Sequence, residues 1–160
     1  MKKFTIGFVA LLVIAVAGAT VFVALSPDFV EPVRQAQEGI PEDHPIWDKT
    51  LDDLAAYLVE KGMIPSVEYD TMAGGIATEA RRYSGIELYW WDVDHLEEGS
   101  PERKAYREAA ESGQIDLYGS GVMMSVGLRG PFAYNSGYFS EEFSGDPDAL
   151  EKAFNEFCAE

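Results

Sequence analysis

The chain opens with an apolar run longer than a soluble domain of 160 residues needs. From Phe4 to Leu25, 22 consecutive residues carry no charge. A helix that rises 1.5 Å per residue would extend about 33 Å over this run, which matches a hydrocarbon core of roughly 30 Å. The run therefore predicts one transmembrane helix at 4–25.

The charges on either side of this run predict its orientation. Lys2 and Lys3 precede it, whereas Asp28 and Glu31 follow it. Basic residues stay preferentially on the cytoplasmic side of a membrane. We therefore expect residues 1–25 to be a cytoplasmic start and signal anchor of a single-pass cell-membrane protein, with the rest of the chain extracytoplasmic.

A cleavable signal peptide is the main alternative. Residues 15–17 and 17–19 both have the small-x-small pattern that signal peptidase requires, and cleavage would release a secreted protein. However, the apolar run exceeds the usual length of a signal-peptide core, and cleavage would leave Val21, Phe22 and Val23 near an exposed N-terminus. These features favour the retained anchor.

A second alternative comes from Gly7 and Phe8, which follow the two lysines. This arrangement resembles the short basic leader of type IV pilin-like proteins, in which cleavage after the glycine exposes the phenylalanine. The chain departs from that family at Leu12, where pilins carry a glutamate, and at Pro27, which breaks the long helix that pilins continue. The resemblance implies a pilin-like structural subunit and covers about the first 25 residues.

Residues 26–48 are rich in proline and polar side chains, which predicts an extended stalk. Four of the eight prolines lie here: Pro27, Pro32, Pro41 and Pro45. Beyond Lys2 and Lys3 the chain has 10 basic and 28 acidic residues, a formal charge of −18. Such a surface is repelled by anionic lipid headgroups and by the phosphates of nucleic acid, so nucleic-acid partners are not expected.

Residues 49–160 contain three helix patterns with recognisable ends. The first follows Thr50 and stops at Gly62, the second follows Ser100, and the third begins at Asp146. Each pattern has apolar residues at helical spacing: Leu51, Leu54, Ala55, Leu58 and Val59; Ala105, Tyr106, Ala109 and Ala110; Leu150, Ala153, Phe154 and Phe157.

Between these helices the apolar period falls to two, which is typical of β-strands. Strands are predicted at 76–83, 86–93, 115–118, 122–128 and 132–135. Glycine-containing turns between neighbouring strands predict antiparallel hairpins. We therefore expect an α+β fold in which a small domain has an antiparallel sheet, with about three helices on one of its faces.

The segment after Leu88 holds the candidate binding residues. Alternation would place Trp90 in the core and leave Tyr89 and Trp91 together on the opposite, exposed face, where large rigid rings can anchor a ligand or partner. Asp92 and Asp94 follow directly. Cross-strand packing of the two rings is the structural alternative.

Motifs for other chemistry are not found. The histidines lack metal-ligand spacing, Cys158 is a lone cysteine that could only link two chains, and neither a serine-hydrolase elbow nor a nucleotide-binding glycine motif occurs. No metal or cofactor is therefore expected. We expect a non-catalytic, membrane-anchored accessory or ligand-binding module for an envelope or membrane protein.

An enzyme is the alternative from another class. Glu87, Asp92 and Asp94 could supply paired carboxylates to a small enzyme that acts on envelope sugar. Such an enzyme needs two carboxyl groups at catalytic separation inside a cleft, and that separation cannot be read from the sequence. The pilin-like structural subunit is the third hypothesis.

Overall fold

The structure, a computed structural model, describes residue 37 and the ranges 39–73 and 75–160. The predicted transmembrane helix at 4–25 and most of the predicted stalk lie outside these residues. Within the described part of the chain, no helix combines the length and apolar character needed to cross a membrane.

Within the described residues, three α-helices form where the sequence predicts them. They are α1 (Leu51–Glu60), α2 (Pro101–Ser112) and α3 (Pro147–Ala159). Two short 3-10 helices lie at Pro45–Asp48 and Leu117–Gly119. The sequence signals for helix ends therefore located all three longer helices.

Each helix begins where a side chain accepts a hydrogen bond from a backbone N–H group of the cap residue or of the first turn. The Thr50 backbone N–H and hydroxyl donate to Asp53 Oδ2 at 2.8 and 2.9 Å. Ser100 Oγ accepts from the Arg103 backbone N at 3.1 Å, and the Asp146 carboxylate caps α3 in the same manner.

In the part of the chain that the structure describes, six strands form one antiparallel sheet. The strands are β1 (Asp70–Thr71), β2 (Glu79–Tyr83), β3 (Ile86–Trp90), β4 (Gln114–Asp116), β5 (Met123–Arg129) and β6 (Phe132–Asn135). Their spatial order is β1-β2-β3-β6-β5-β4, and every neighbouring pair is antiparallel. The α+β class and the antiparallel sheet are thus confirmed. The sequence does not predict β1, because two residues are too few to show alternation.

Helices α1 and α3 cover one face of the sheet. Phe132 and Tyr134, two residues apart on β6, meet Phe157 and Phe154 of α3 at ring-centroid distances of 5.6 and 5.0 Å. Tyr57 of α1 meets the Phe157 ring at 5.3 Å. Aromatic contacts at these distances join both helices to the centre of the sheet.

Helix α2 covers part of the opposite face. Tyr89 lies across from Ala133 in the register, so it points away from the face that carries Tyr134. The Tyr89 ring stacks on Trp91 at 6.4 Å, and Trp91 contacts Tyr106 of α2 at 5.5 Å. The prediction that all helices lie on one face is therefore wrong, and β3 is buried on both sides.

The last part of the predicted stalk belongs to the folded domain. Ile40, Ile46 and Trp47 are buried in the core, and the Gln37 side-chain carbonyl accepts a hydrogen bond from the Gly130 backbone N at 2.9 Å. The folded domain therefore begins before residue 49, where the sequence predicted the end of the stalk. The prolines and acidic residues indicated an extended segment, whereas burial of three large apolar side chains stabilises a folded one.

Cys158 is fully buried on α3, and its thiol approaches the Arg129 carbonyl oxygen at 3.8 Å. Burial raises the pKa of the Cys158 thiol to about 12, although Arg129 and Lys49 act in the opposite direction. The thiol is consequently neutral and inaccessible in the folded domain. It cannot link two folded copies without local unfolding.

Candidate functional site

A cavity of about 470 Å³ opens on the same sheet face as α2. We call it the Glu87 cavity. Its polar lining includes Glu87, Tyr89 and Asn135, and Tyr138 lines it at the solvent side with 59% of its surface exposed. Its apolar lining includes Met72, Ile76, Leu117 and Met124. Mostly apolar pockets with a few converging polar groups are typical of small-molecule sites.

A neighbouring depression of about 480 Å³ has different chemistry. It lies at the start of α2, and its lining includes Lys104 and Glu108, which pair at 3.5 Å near the surface. Such exposed pairs are ordinary features of a helix surface. We therefore take the Glu87 cavity, which holds a buried charge, as the candidate site.

The β-sheet register places the polar groups of the cavity. Glu87 and Tyr89 lie two residues apart on β3 and so share a face, while Arg82 on β2 lies directly across from Glu87. Asn135 ends β6, the neighbouring strand on the other side. Four polar side chains from three adjacent strands therefore converge.

Glu87 is the centre of this network, and only 8% of its surface is exposed. Arg82 Nη2 donates to Glu87 Oε1 at 2.6 Å. The Tyr89 hydroxyl and Asn135 Nδ2 both donate to Glu87 Oε2 at 3.0 Å. Three donors, one of them cationic, compensate the burial of this carboxylate.

These contacts also determine its protonation state. Burial by itself raises the pKa of Glu87, but the hydrogen bonds from Asn135, Arg82 and Tyr89 outweigh burial and hold the pKa below its usual value of 4.5. Glu87 is therefore an ionised, acceptor-only group at neutral pH. A carboxylate with a lowered pKa is poorly suited to act as a general acid.

Asn135 connects the network to the mouth of the cavity. Its Oδ1 accepts hydrogen bonds from the backbone N–H groups of Gly137 and Tyr138, both at 3.1 Å. These bonds order the loop that carries the exposed Tyr138 ring. On the opposite wall, the Tyr89 oxygen lies 3.4 Å from Met124 Sδ.

The expectation that Tyr89 and Trp91 form an exposed pair is wrong. Tyr89 is 2% exposed and Trp91 is 0% exposed, whereas Trp90, predicted in the core, is only partly buried. Helix α2 covers the face that alternation alone assigned to solvent. Trp91 instead donates through Nε1 to the Ile76 carbonyl at 2.8 Å and thereby supports the cavity wall. Tyr89 lies inside the cavity, and its role in ligand binding stays a prediction.

Asp92 and Asp94 follow β3, and neither is among the residues that line the cavity. The Asp92 carboxylate lies 2.8 Å from His95 Nδ1, and this hydrogen bond raises the pKa of the exposed His95. Among the residues that the structure describes, no three His, Cys, Asp or Glu side chains are placed to hold a metal ion together.

Sequence reasoning missed several residues of the site. Asn135, Tyr138 and Met124 come from β6, the following loop and β5, and nothing in their local sequence marks them. Glu87 was named only as a possible catalytic carboxylate, because alternation places it with Tyr89 and Trp91 on the face that was expected to be exposed. No family model, no curated protein and no solved structure matches the chain.

Proposed function

We propose that the protein is a non-catalytic binding module, anchored in a cell membrane by residues 4–25, whose extracytoplasmic domain binds a small molecule in the Glu87 cavity. One observation carries the binding proposal: an ionised carboxylate, more than nine-tenths buried, lines an open cavity of about 470 Å³. A buried charge is costly even when it is paired, so a charge kept at a cavity wall indicates a functional site.

The chemistry of the cavity favours binding over catalysis. Glycoside hydrolysis needs two carboxyl groups on either side of the scissile bond, one of them with a raised pKa. Glu87 lines the cavity and has a lowered pKa, while Asp92 and Asp94 lie outside its lining. Rigidly positioned donors and acceptors beside apolar walls are instead what a ligand site requires.

The location in the proposal rests on the sequence alone. The uncharged run at 4–25, the preceding lysines and the acidic remainder support an anchored, extracytoplasmic domain. A module held at a membrane in this way would serve an envelope or membrane protein beside it as an accessory.

Two tryptophan substitutions, each at an alanine position, test the binding proposal. Ala73 is exposed and lines the cavity, so Ala73→Trp should block the cavity. Ala56 on α1 is also exposed but does not line the cavity, and Ala56→Trp is the matched control. The full chain in detergent micelles is titrated with a set of small soluble fragments, and backbone amide shifts are followed by NMR.

We expect fragments that shift the amides of Glu87, Asn135 and Gly137 in the wild type and in Ala56→Trp but leave them unmoved in Ala73→Trp. Both variants must retain the wild-type amide dispersion elsewhere. If no fragment moves the cavity amides in any form, or if Ala73→Trp binds as well as the wild type, the Glu87 cavity is not a ligand site.

A further inference from the structure

The hydrogen-bonding capacity of the Glu87 cavity limits what its ligand can be. A carboxylate has about four acceptor positions. Among the described residues, Glu87 accepts two hydrogen bonds at Oε2 and one at Oε1, which leaves one position at Oε1. Asn135 donates one of its two N–H groups to Glu87, and its Oδ1 already accepts from two backbone groups. Glu87 and Asn135 between them thus retain one acceptor position and one donor.

The charge of the network is already balanced. The Arg82 guanidinium pairs with Glu87 at 2.6 Å from outside the cavity, with 44% of its side chain exposed. An anionic head group would be repelled by the Glu87 carboxylate and by the strong negative charge of the domain. A cationic head group would find Glu87 paired and would be repelled by Arg82. An uncharged head group avoids both penalties.

The remainder of the cavity requires an apolar ligand body. Met72, Ile76, Leu117 and Met124 supply aliphatic and thioether surface. Methionine side chains adapt to irregular apolar shapes. These walls therefore select for an apolar ligand body but do not strictly select its shape. An apolar body on these walls directs the head group toward Glu87.

We propose that the Glu87 cavity binds an uncharged amphipathic molecule, in which a primary amide or comparable donor-and-acceptor head group donates to Glu87 Oε1 and accepts from Asn135 Nδ2, while an apolar body contacts the methionine-lined walls. This inference rests on the proposed function, since it names the class of ligand for the same cavity.

Three probes of nearly equal shape and different charge test the proposal. Benzamide is neutral, benzamidinium is cationic and benzoate is anionic, and all three carry the same ring. Each is titrated into the full chain in detergent micelles, and dissociation constants are taken from the amide shifts of cavity residues. Empty micelles report how far each probe partitions into detergent.

We expect benzamide to bind about tenfold more tightly than either ion, the effect of one uncompensated charge or hydrogen bond. Arg82→Gln removes the balancing charge and should shift the preference toward benzamidinium. Lys152→Gln on α3 removes the same charge at an exposed position outside the cavity lining and should leave the order unchanged.

The two proposals fail in different ways. If none of the three probes moves the cavity amides while the fragment set does, or if an ion binds as tightly as benzamide, the uncharged-ligand inference is wrong and the binding site stands. The inference is also overturned if Arg82→Gln leaves the order unchanged. If neither the probes nor the fragments move these amides, the binding site itself fails.

Discussion

Glu87 is ionised although its side chain is buried on β3, where it lines the cavity. A buried carboxylate is tolerated when charge-assisted hydrogen bonds replace those it made with water. Arg82, Tyr89 and Asn135 provide them at 2.6 to 3.0 Å. Removing any of the four therefore leaves polar atoms without partners.

The lowered pKa of Glu87 predicts how stability depends on pH. Because the folded-state pKa lies below the ordinary value of 4.5, the carboxylate stabilises the fold above that pH, and this contribution is lost as the pH falls through the folded-state pKa. At neutral pH, Glu87→Gln should lower the free energy of unfolding by roughly 1–3 kcal/mol. Urea unfolding at a series of pH values measures the difference from wild type.

The exposed Glu141 offers a control for that experiment. Glu141→Gln should change the free energy of unfolding by less than about 0.5 kcal/mol at neutral pH. The difference between wild type and Glu87→Gln should be constant near neutral pH and shrink below pH 4.5. A difference that grows on acidification would mean that burial, and not the three donors, dominates the pKa of Glu87.

Single side chains were predictable only where local pattern decides their position. Strand alternation correctly placed Tyr89 and Trp91 on one face of the sheet. It could not show that this face is covered, because Tyr106, which packs on Trp91, lies 15 residues further along the chain on α2. The convergence of Asn135 on Glu87 likewise depends on strand order, which local sequence does not encode.

Helix α2 is the element that most directly determines the shape of the site. It places Tyr106 against Trp91, and Trp91 in turn holds the Ile76 carbonyl of the cavity wall. Its first turn depends on Ser100, whose hydroxyl oxygen accepts from the Arg103 backbone N at 3.1 Å. Loss of this cap should therefore lower the free energy of unfolding.

Ser100→Ala should lower the free energy of unfolding by about 1 kcal/mol, the usual effect of removing a serine N-cap. Ser144, which is exposed in the loop before α3, provides the same substitution away from a helix cap. Ser144→Ala should be nearly neutral. Denaturant midpoints measured for both variants compare them directly, and equal midpoints would show that the Ser100 cap contributes nothing.

The helices could be predicted because each carries its own start and stop signals. Thr50, Ser100 and Asp146 mark three helix starts in the sequence and in the structure alike. The arrangement of the helices around the sheet was not predictable. An apolar stripe indicates that a helix packs on the core, but it does not indicate which face of the sheet the helix covers. Residues 39–48 were predicted to be extended because prolines and acidic residues dominate their composition. Only two isoleucines, Ile40 and Ile46, are buried among them together with Trp47, which is too few to show a pattern.

The anchoring of the chain is tested by where the full protein is found. Under the proposal it should remain in the membrane fraction after a carbonate wash and retain its first residues, because an uncharged run of 22 residues can span the bilayer. Ile14→Asp places a charge in the middle of that run, and the cost of that charge should markedly reduce membrane retention. Fractionation and N-terminal sequencing measure both.

N-terminal sequencing also separates the alternatives. A mature start near Thr20 would indicate a secreted protein, and a start at Phe8 would indicate pilin-type processing. An Ile14→Asp variant that is retained as fully as wild type would contradict insertion of this run as a transmembrane helix.

The chain enters the described domain at Gln37, whose side chain is bound to Gly130 just after β5. The cavity lies at the start of the same strand, beside Met124. Seven residues of an antiparallel strand separate these two ends by about 20 Å. Under the proposed membrane anchoring, tension that enters the domain at Gln37 would load the Gly130 turn before the loops around the Glu87 cavity, so pulling on the stalk should not by itself disturb a ligand bound there.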